Sequence, residues 1–551
     1  MWKTRRSRTI LRCCLFVAFL LALGYAQVRD ELRPEFAAQL EIVVEQTGTG
    51  EVVPARAYLF RSGQPFRLSP VDSHLPLRVD LYYRERVWRQ ADRPTVLEVT
   101  ARDLSHFLLL DGRAKFDLPA WDEYRLEVYR GFFFKPAVVE FSLRAAEQKR
   151  IVVRLDPIAP DRQKGWVAAD DHIHLMRDRE DDELFLRWMQ AEDLAVGNFL
   201  ELQRQQHAAV QYGFGTEAEA RLPGYSIRSG HESRSLFYGH VLFLGPRQMI
   251  RPLSVGTEYA NSPEAYPFPA LLFDQGRKAG AVVGFAHFYG SQPNSTLLMD
   301  LALGKIDFIE LFQFGQLHTQ PWYELLNGGF RAVGLAGSDF PANIGRFDTW
   351  PRAFPLLGPE RALVKTNPGE SAYEAWAEGV RKGAVVVTNG PLLDFTVEGH
   401  GPGDVIRWDG ESSNAVGTAS AVFHRPIKKL EIVANGQVVA SRAAGEAETE
   451  VSLQFNAPIT ESTWVAARVQ AIHNEGEPEI WAHSNPVYLL KEGKPVYVEA
   501  DRRALLDRWT KEAEYYRNPA LVFADEGQRQ ALLNSVQETF RLLSAKPSDG
   551  N

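Results

Sequence analysis

Cysteine is nearly missing from this chain. Two occur in 551 residues, Cys13 and Cys14, side by side near the N-terminus. They lie inside a stretch with the three parts of a secretory leader. MWKTRRSRTILR is basic, CCLFVAFLLAL is apolar, and Gly24, Tyr25 and Ala26 offer small residues two apart for cleavage. Residues 1–26 therefore read as a signal peptide, and the protein as exported, periplasmic or extracellular. The alternative is an uncleaved leader that serves as an anchor. After cleavage no thiol remains, which excludes disulfides, cysteine nucleophiles and thiolate metal ligands.

Long apolar runs are missing too. The leader's run falls short of the roughly 20 residues that a membrane-spanning helix needs, so no stable span is expected in the mature protein. There is no long basic patch, and the net charge is -8. Nucleic acid is not an expected partner. No G-x-S-x-G, P-loop or dinucleotide fingerprint occurs. His231-Glu232 opens like H-E-x-x-H, but the position of the second histidine holds Ser235. The helical zinc-protease motif is thereby excluded.

What is present divides the chain. Residues 36–157 alternate apolar and polar positions in LEIVVEQ, ARAYLF, YRLEVY and RIVVRL. Period two with turn residues between predicts a β-sandwich. From 160 to 395 helical stretches precede short apolar runs, as in ALLFDQGRKAG before AVVGFAH and SAYEAWAEGVRKG before AVVVTNG. That repeat predicts an α/β domain with a mostly parallel sheet, in number suited to a barrel of about seven or eight strands. Alternation returns over 396–495, with a hairpin signal at Asn435-Gly436, and predicts a second β-sandwich. Residues 500–545 read as two amphipathic helices.

Several apolar runs of the central region end in groups able to hold a metal. AADDHIH ends in His172 and His174, GFAH in His287 and GLAGSD in Asp339; FIEL carries Glu310, and GHESRSLFYGH carries Glu232, Arg234 and His240. Chain polarity gathers the C-terminal ends of parallel strands at one mouth. Side chains two apart on a strand share a face, so His172 and His174 can grip one ion, while Asp171 points to the other face. Imidazole and carboxylate together suit Zn, Mn or Fe better than Ca or Mg. Each group alone has a plainer reading. His287 suits a hydrogen-bonded core, Glu232 a solvated loop and Asp339 a helix cap. Their shared placement at strand ends favours a site. His207 reads as solvated, His318, beyond Glu310, reads equally as facing substrate or as an ordinary loop histidine, and His400, His424, His473 and His483 fall in the second sandwich with no catalytic role expected.

D-x-H-x-H at 170–174, E-x-R then G-H at 232–240, A-H at 286–287, G-S-D at 337–339 and T-N-G-P at 388–391 resemble the CehA/McbA-type metallohydrolases. These belong to the polymerase and histidinol phosphatase (PHP) superfamily. AEDLAVGN and WYELLNGGFR are similar to family segments too. The N-terminal sandwich loosely resembles carboxypeptidase-regulatory-like domains. The resemblance implies a distorted (β/α)7 barrel flanked by the two sandwiches. It places a first ion on His172, His174, Glu232 and Asp339, and a second on Glu232, His240 and His287. The Asp-His pair that follows the second strand in such proteins is replaced by NFLEL, and the late histidine by Pro341. Both would serve a third ion, so one or two divalent ions are expected. The implied activity is hydrolysis of a phosphoester or of a carboxyl or carbamate ester, by a metal-activated water, on an unidentified small or polymer-derived substrate. Asp170 is expected to orient an imidazole, Arg234 or Arg346 to steady an anion, and Asn389 to line the mouth. The rival expectation is a catalytically lapsed scaffold that binds glycans or a protein partner.

Overall fold

The computed structural model describes residues 37–66, 74–76, 87–90, 95–100, 104–203, 208–288, 294–343, 351–366, 371–411 and 413–546. The leader at 1–26, His207 and Arg346 lie outside the described residues. Mixed α/β architecture prevails, with strands in several sheets outweighing helices. Among the described residues no helix is long and apolar enough to cross a membrane.

The N-terminal region builds two sheets. One orders Gln148–Leu155, Ala37–Gln46 and Arg113–Pro119. The other runs through Ala137–Ser142, Glu123–Tyr129, Ala55–Arg61 and Ser105–Leu109 and beyond. Alternation buries Leu40, Ile42, Phe116, Leu126 and Phe107 in one shared core.

The central region starts with β1 (Trp166–Ile173), α1 (Asp182–Ala191) and β2 (Val196–Gln203), a parallel pair joined through a helix. β3 (Tyr225–Ser235) pairs parallel to β2. The chain then turns back. β4 (Gly239–Leu244) runs antiparallel to β3, and β5 (Val282–Phe285) antiparallel to β4. The sheet is therefore mixed rather than mostly parallel as the sequence led one to expect. The reason is local: Ser235 and Gly239 face each other across a tight turn with Gly239 at a φ of 88°, and so short a link permits only a hairpin. Between β4 and β5 lies α2 (Pro269–Lys278). After α3 (Leu297–Ala302), β6 (Phe308–Gln313) and, beyond α4 (Thr319–Asn327), β7 (Val333–Ala336) restore parallel pairing. An isolated parallel bridge joins Ile173, at the end of β1, to Phe340, just past β7. The first and last of these strands thus meet.

β8 (Arg361–Lys365) pairs antiparallel to β1 on the edge opposite β2, and β9 (Val385–Thr388), after α5 (Ala372–Lys382), to β8. β9 in turn pairs with β10 (Ile480–Ser484) of the C-terminal region, Val386 facing Ser484. One sheet therefore runs across residue 395. The sheet of Leu392–Val397, Ser413–Val422 and Glu450–Ile459 shares a core with that of Ile427–Ala434, Thr463–Ala471 and β10. Finally α6 (Glu499–Tyr516) and α7 (Glu526–Ser544) fold back onto the central region. Their Leu505, Trp509, Tyr516, Leu532 and Val536 join its core. Arg502 fixes the docking by donating to the Gly328 carbonyl at 2.7 Å.

Candidate metal centre

The ends of β1, β3, β5 and β6, the start of β4 and the turn after β7 converge on one buried cluster. His172 and His174 approach through their Nε2 atoms, 3.0 Å apart. Asp339 Oδ1 lies 3.6 Å from the first and 3.5 Å from the second. Glu232 Oε2 lies 3.3 Å from His174 Nε2 and 3.9 Å from His172 Nε2. The other oxygen of Glu232 faces away from this trio. Its Oε1 is 2.9 Å from His240 Nδ1 and 3.5 Å from His287 Nε2. Two groups with metal-ligand spacing result, His172 with His174 and Asp339, and Glu232 with His240 and His287. A third combination, His172 with His287 and Glu310, overlaps both. The ligand atoms expected from the sequence are thus brought together, with Glu232 between them.

Orientation comes from the atoms behind. Glu310 Oε1 sits 3.0 Å from His172 Nδ1, and the Leu200 carbonyl 3.2 Å from His174 Nδ1. Each fixes a ring with its Nε2 turned inward. The other Glu310 oxygen accepts the His287 backbone N–H at 2.5 Å. Glu310 is thus the main structural partner that the strand-end pattern noted without assigning it a role. A lone acid inside FIELFQ was its signal. His287 and Asp339 both lie in the left-handed backbone region, at φ values of 40° and 50°. Such conformations cost about 1–3 kcal/mol and persist where surrounding structure holds them.

Three expected roles move. Asp170 does not reach an imidazole. Its carboxylate accepts the backbone N–H groups of His172 (3.0 Å), Ser338 (2.9 Å) and Gly358 (2.8 Å). It ties β1 to the turn that carries Asp339. Arg234 faces inward and donates from Nε to Glu232 Oε2 at 2.7 Å, so it serves the ligand. Asn389 does not line the mouth. Its side chain donates to the Glu479 carbonyl and accepts from Trp481 N–H, both at 2.8 Å, holding the edge of β10. Asp171 departs from strict alternation. The register of β1 shifts between Asp170 and Ile173, and Asp171 lies buried close to Glu310.

Burial and charge set the protonation of this cluster. Burial opposes ionisation of Glu232, yet Arg234 and His240 hold its carboxyl well below the usual range. Burial lowers the basicity of His172, but Glu310 and Asp339 outweigh it and raise its pKa well above the ordinary 6.5. Burial takes His240 down to about 3. Asp171 is pushed well up by burial and by the neighbouring Glu310 charge. Asp170 rises to about 6 through burial, against its hydrogen bonds. Oxygen and nitrogen donor atoms crowd together here, and Asp339 Oδ1 has no hydrogen-bond partner among the described residues, a donor set that fits a divalent cation.

Gly337 is required by this crowding. A Cβ there would stand 2.0 Å from Asp171 Oδ1 and 2.8 Å from both Glu310 Oε1 and His172 Cβ. Gly337→Ala is expected to cost about 1–3 kcal/mol of stability through overpacking and to weaken metal binding. Thermal melting and a metal titration check this. An alanine variant with wild-type values in both would refute the crowding. Compared with known protein families and with curated proteins, the chain matches none.

Proposed function

We propose that this chain is an exported metal-dependent hydrolase of the PHP type, similar to the CehA/McbA group. Strands β1–β7 and the Ile173–Phe340 bridge then form a distorted seven-stranded barrel around the site. One observation carries the reading: the two oxygens of buried Glu232 each face a different set of imidazoles. A hydrogen-bonded core would not need a carboxylate shared in that way. His172, His174, Glu232 and Asp339 would hold one ion, and Glu232, His240 and His287 a second. Zn, Mn or Fe suits these donors. The chemistry such an ion supplies is a water of pKa near about 7 and polarisation of an oxygen that gains charge.

The chain's own residues do the rest. Glu310 and the Leu200 carbonyl keep both imidazoles of β1 in the tautomer that offers Nε2. Asp170 clamps the Asp339 turn against β1. Arg234 keeps Glu232 ionised. The bond hydrolysed is a phosphoester or a carboxyl or carbamate ester. The test is elemental analysis of purified protein followed by turnover on phosphodiester and aryl-ester substrates. Metal-free protein that gains neither stability nor turnover from Zn, Mn or Fe would defeat the reading and favour a binding scaffold.

Metal binding should also depend on pH. The His172 proton must leave when an ion binds, so affinity falls as pH falls. In the metal-free protein the raised His172 pKa contributes stability below about 6.5, lost as pH rises through the folded value. The ion-bound form behaves oppositely. The gap in melting temperature between the two forms should therefore widen as pH rises above 6.5. Melting curves at several pH values, with and without Zn, check the sign. A constant gap would contradict it.

A further inference from the structure

The metal centre opens into a cavity of about 410 Å³, and one wall of that cavity is not part of the strand ring. His240 and His287 stand at its inner end, and Phe285 and Leu298 give it an apolar side. The opposing wall is α6, which contributes residues 508, 511, 512, 515 and 516. Their spacing is that of one helical face. This face is held firmly. Trp509 and Ala513 beside it are buried in the central core, and Tyr516 stacks on Tyr238 with centroids 5.9 Å apart.

The charges on this face do not cancel. Arg508 Nε lies 3.7 Å from Glu512 Oε1, so these two largely offset each other. Lys511 is exposed at the cavity and forms no hydrogen bond or ion pair among the described residues. An ammonium so placed is a point charge on a flexible stem. Apolar surface separates it in kind from the imidazole end.

We infer that α6 is the substrate-selecting wall of the metal centre, and that Lys511 binds the remote negative charge of a small substrate whose apolar body lies against Phe285, Leu298 and Tyr515. This rests on the hydrolase reading. The substrate class is an ester with an aromatic or acyl body and a second, anionic end. Lys511 is a specificity residue that touches that end and takes no part in bond cleavage.

Calorimetric titration of the metal-loaded protein with two unreactive probes, 4-phenylbutyrate and 4-phenylbutanamide, tests the inference. The carboxylate is expected to bind about tenfold more tightly than the amide, the scale of one charge-assisted contact. In Lys511→Gln the ratio should fall to near one, and in Lys511→Arg it should be kept. A preference retained in Lys511→Gln overturns the inference, because the carboxylate then binds elsewhere. Equal binding of both probes by the wild type, or binding of neither, overturns it too. Failure of the hydrolase reading looks different: no ester is turned over, while a Lys511-dependent preference persists.

Discussion

Glu232→Gln is expected to strip the protein of bound metal and to lower ester or phosphodiester turnover by at least about 10²–10³-fold, the scale of losing one preorganised electrostatic group. Glutamine keeps the volume and removes the charge. Glu232 approaches four imidazoles, those of His172, His174, His240 and His287, within 4 Å, whereas Asp339 approaches His172 and His174 at 3.6 and 3.5 Å. Losing Glu232 therefore weakens both groups at once, where Asp339→Asn should weaken one. A second effect follows from Arg234. Its guanidinium is buried against Glu232, so removing that negative charge weakens the folded state. The metal-free variant should unfold at lower denaturant than the metal-free wild type. Metal content by elemental analysis, turnover and urea unfolding read these effects separately. A variant that retains full metal and full turnover would remove Glu232 from the site.

The ligand atoms were legible in the sequence because chain polarity does much of the work. His172, His174, His287 and Asp339 each follow an apolar run, and parallel strands end together. Less was legible where geometry departs from regular repeats. His240 reaches the mouth from the start of an antiparallel strand, and the tight turn before it hides that reversal from any count of helix–strand units. Asp171 was placed outward by alternation, and the shifted register of β1 returns it to the cluster. Asp170 shows the opposite failure. The motif marks it correctly, but its role depends on three backbone N–H groups from residues 172, 338 and 358. No spacing rule joins those positions. Nor could pattern alone tell that α6 docks beside His240 and His287 of the candidate metal centre, since an amphipathic helix reveals its apolar face and not the surface that receives it.

Arg56→Met is expected to destabilise the protein by about 3–5 kcal/mol, although Arg56 lies in the N-terminal sandwich, far along the chain from the metal cluster. Its guanidinium forms an ion pair with Glu192, just past α1 of the central region, and both side chains are fully buried. Arg56 Nη2 also donates to the Arg352 carbonyl at 2.8 Å, and Glu192 Oε1 accepts the Leu356 backbone N–H at 3.0 Å. Arg352 in turn donates from Nε and Nη2 to Glu127 of the sandwich at 2.6 and 2.9 Å. The interface between the two regions is thus built on buried charge as well as apolar packing. Removing Arg56 leaves the buried Glu192 carboxylate without its ion-pair partner. Glu192→Met strands the guanidinium in the same way. The double variant Arg56→Met with Glu192→Met strands neither, so it should lie nearer the wild type than the sum of the single effects. Urea unfolding of the four proteins measures this coupling. A double variant as weak as that sum would show that the two residues act independently. The site of the pair predicts the form of the transition as well. If the pair joins the regions, each single variant should lose the sandwich at a lower urea concentration than the central core, because the contact that makes them unfold together has been removed.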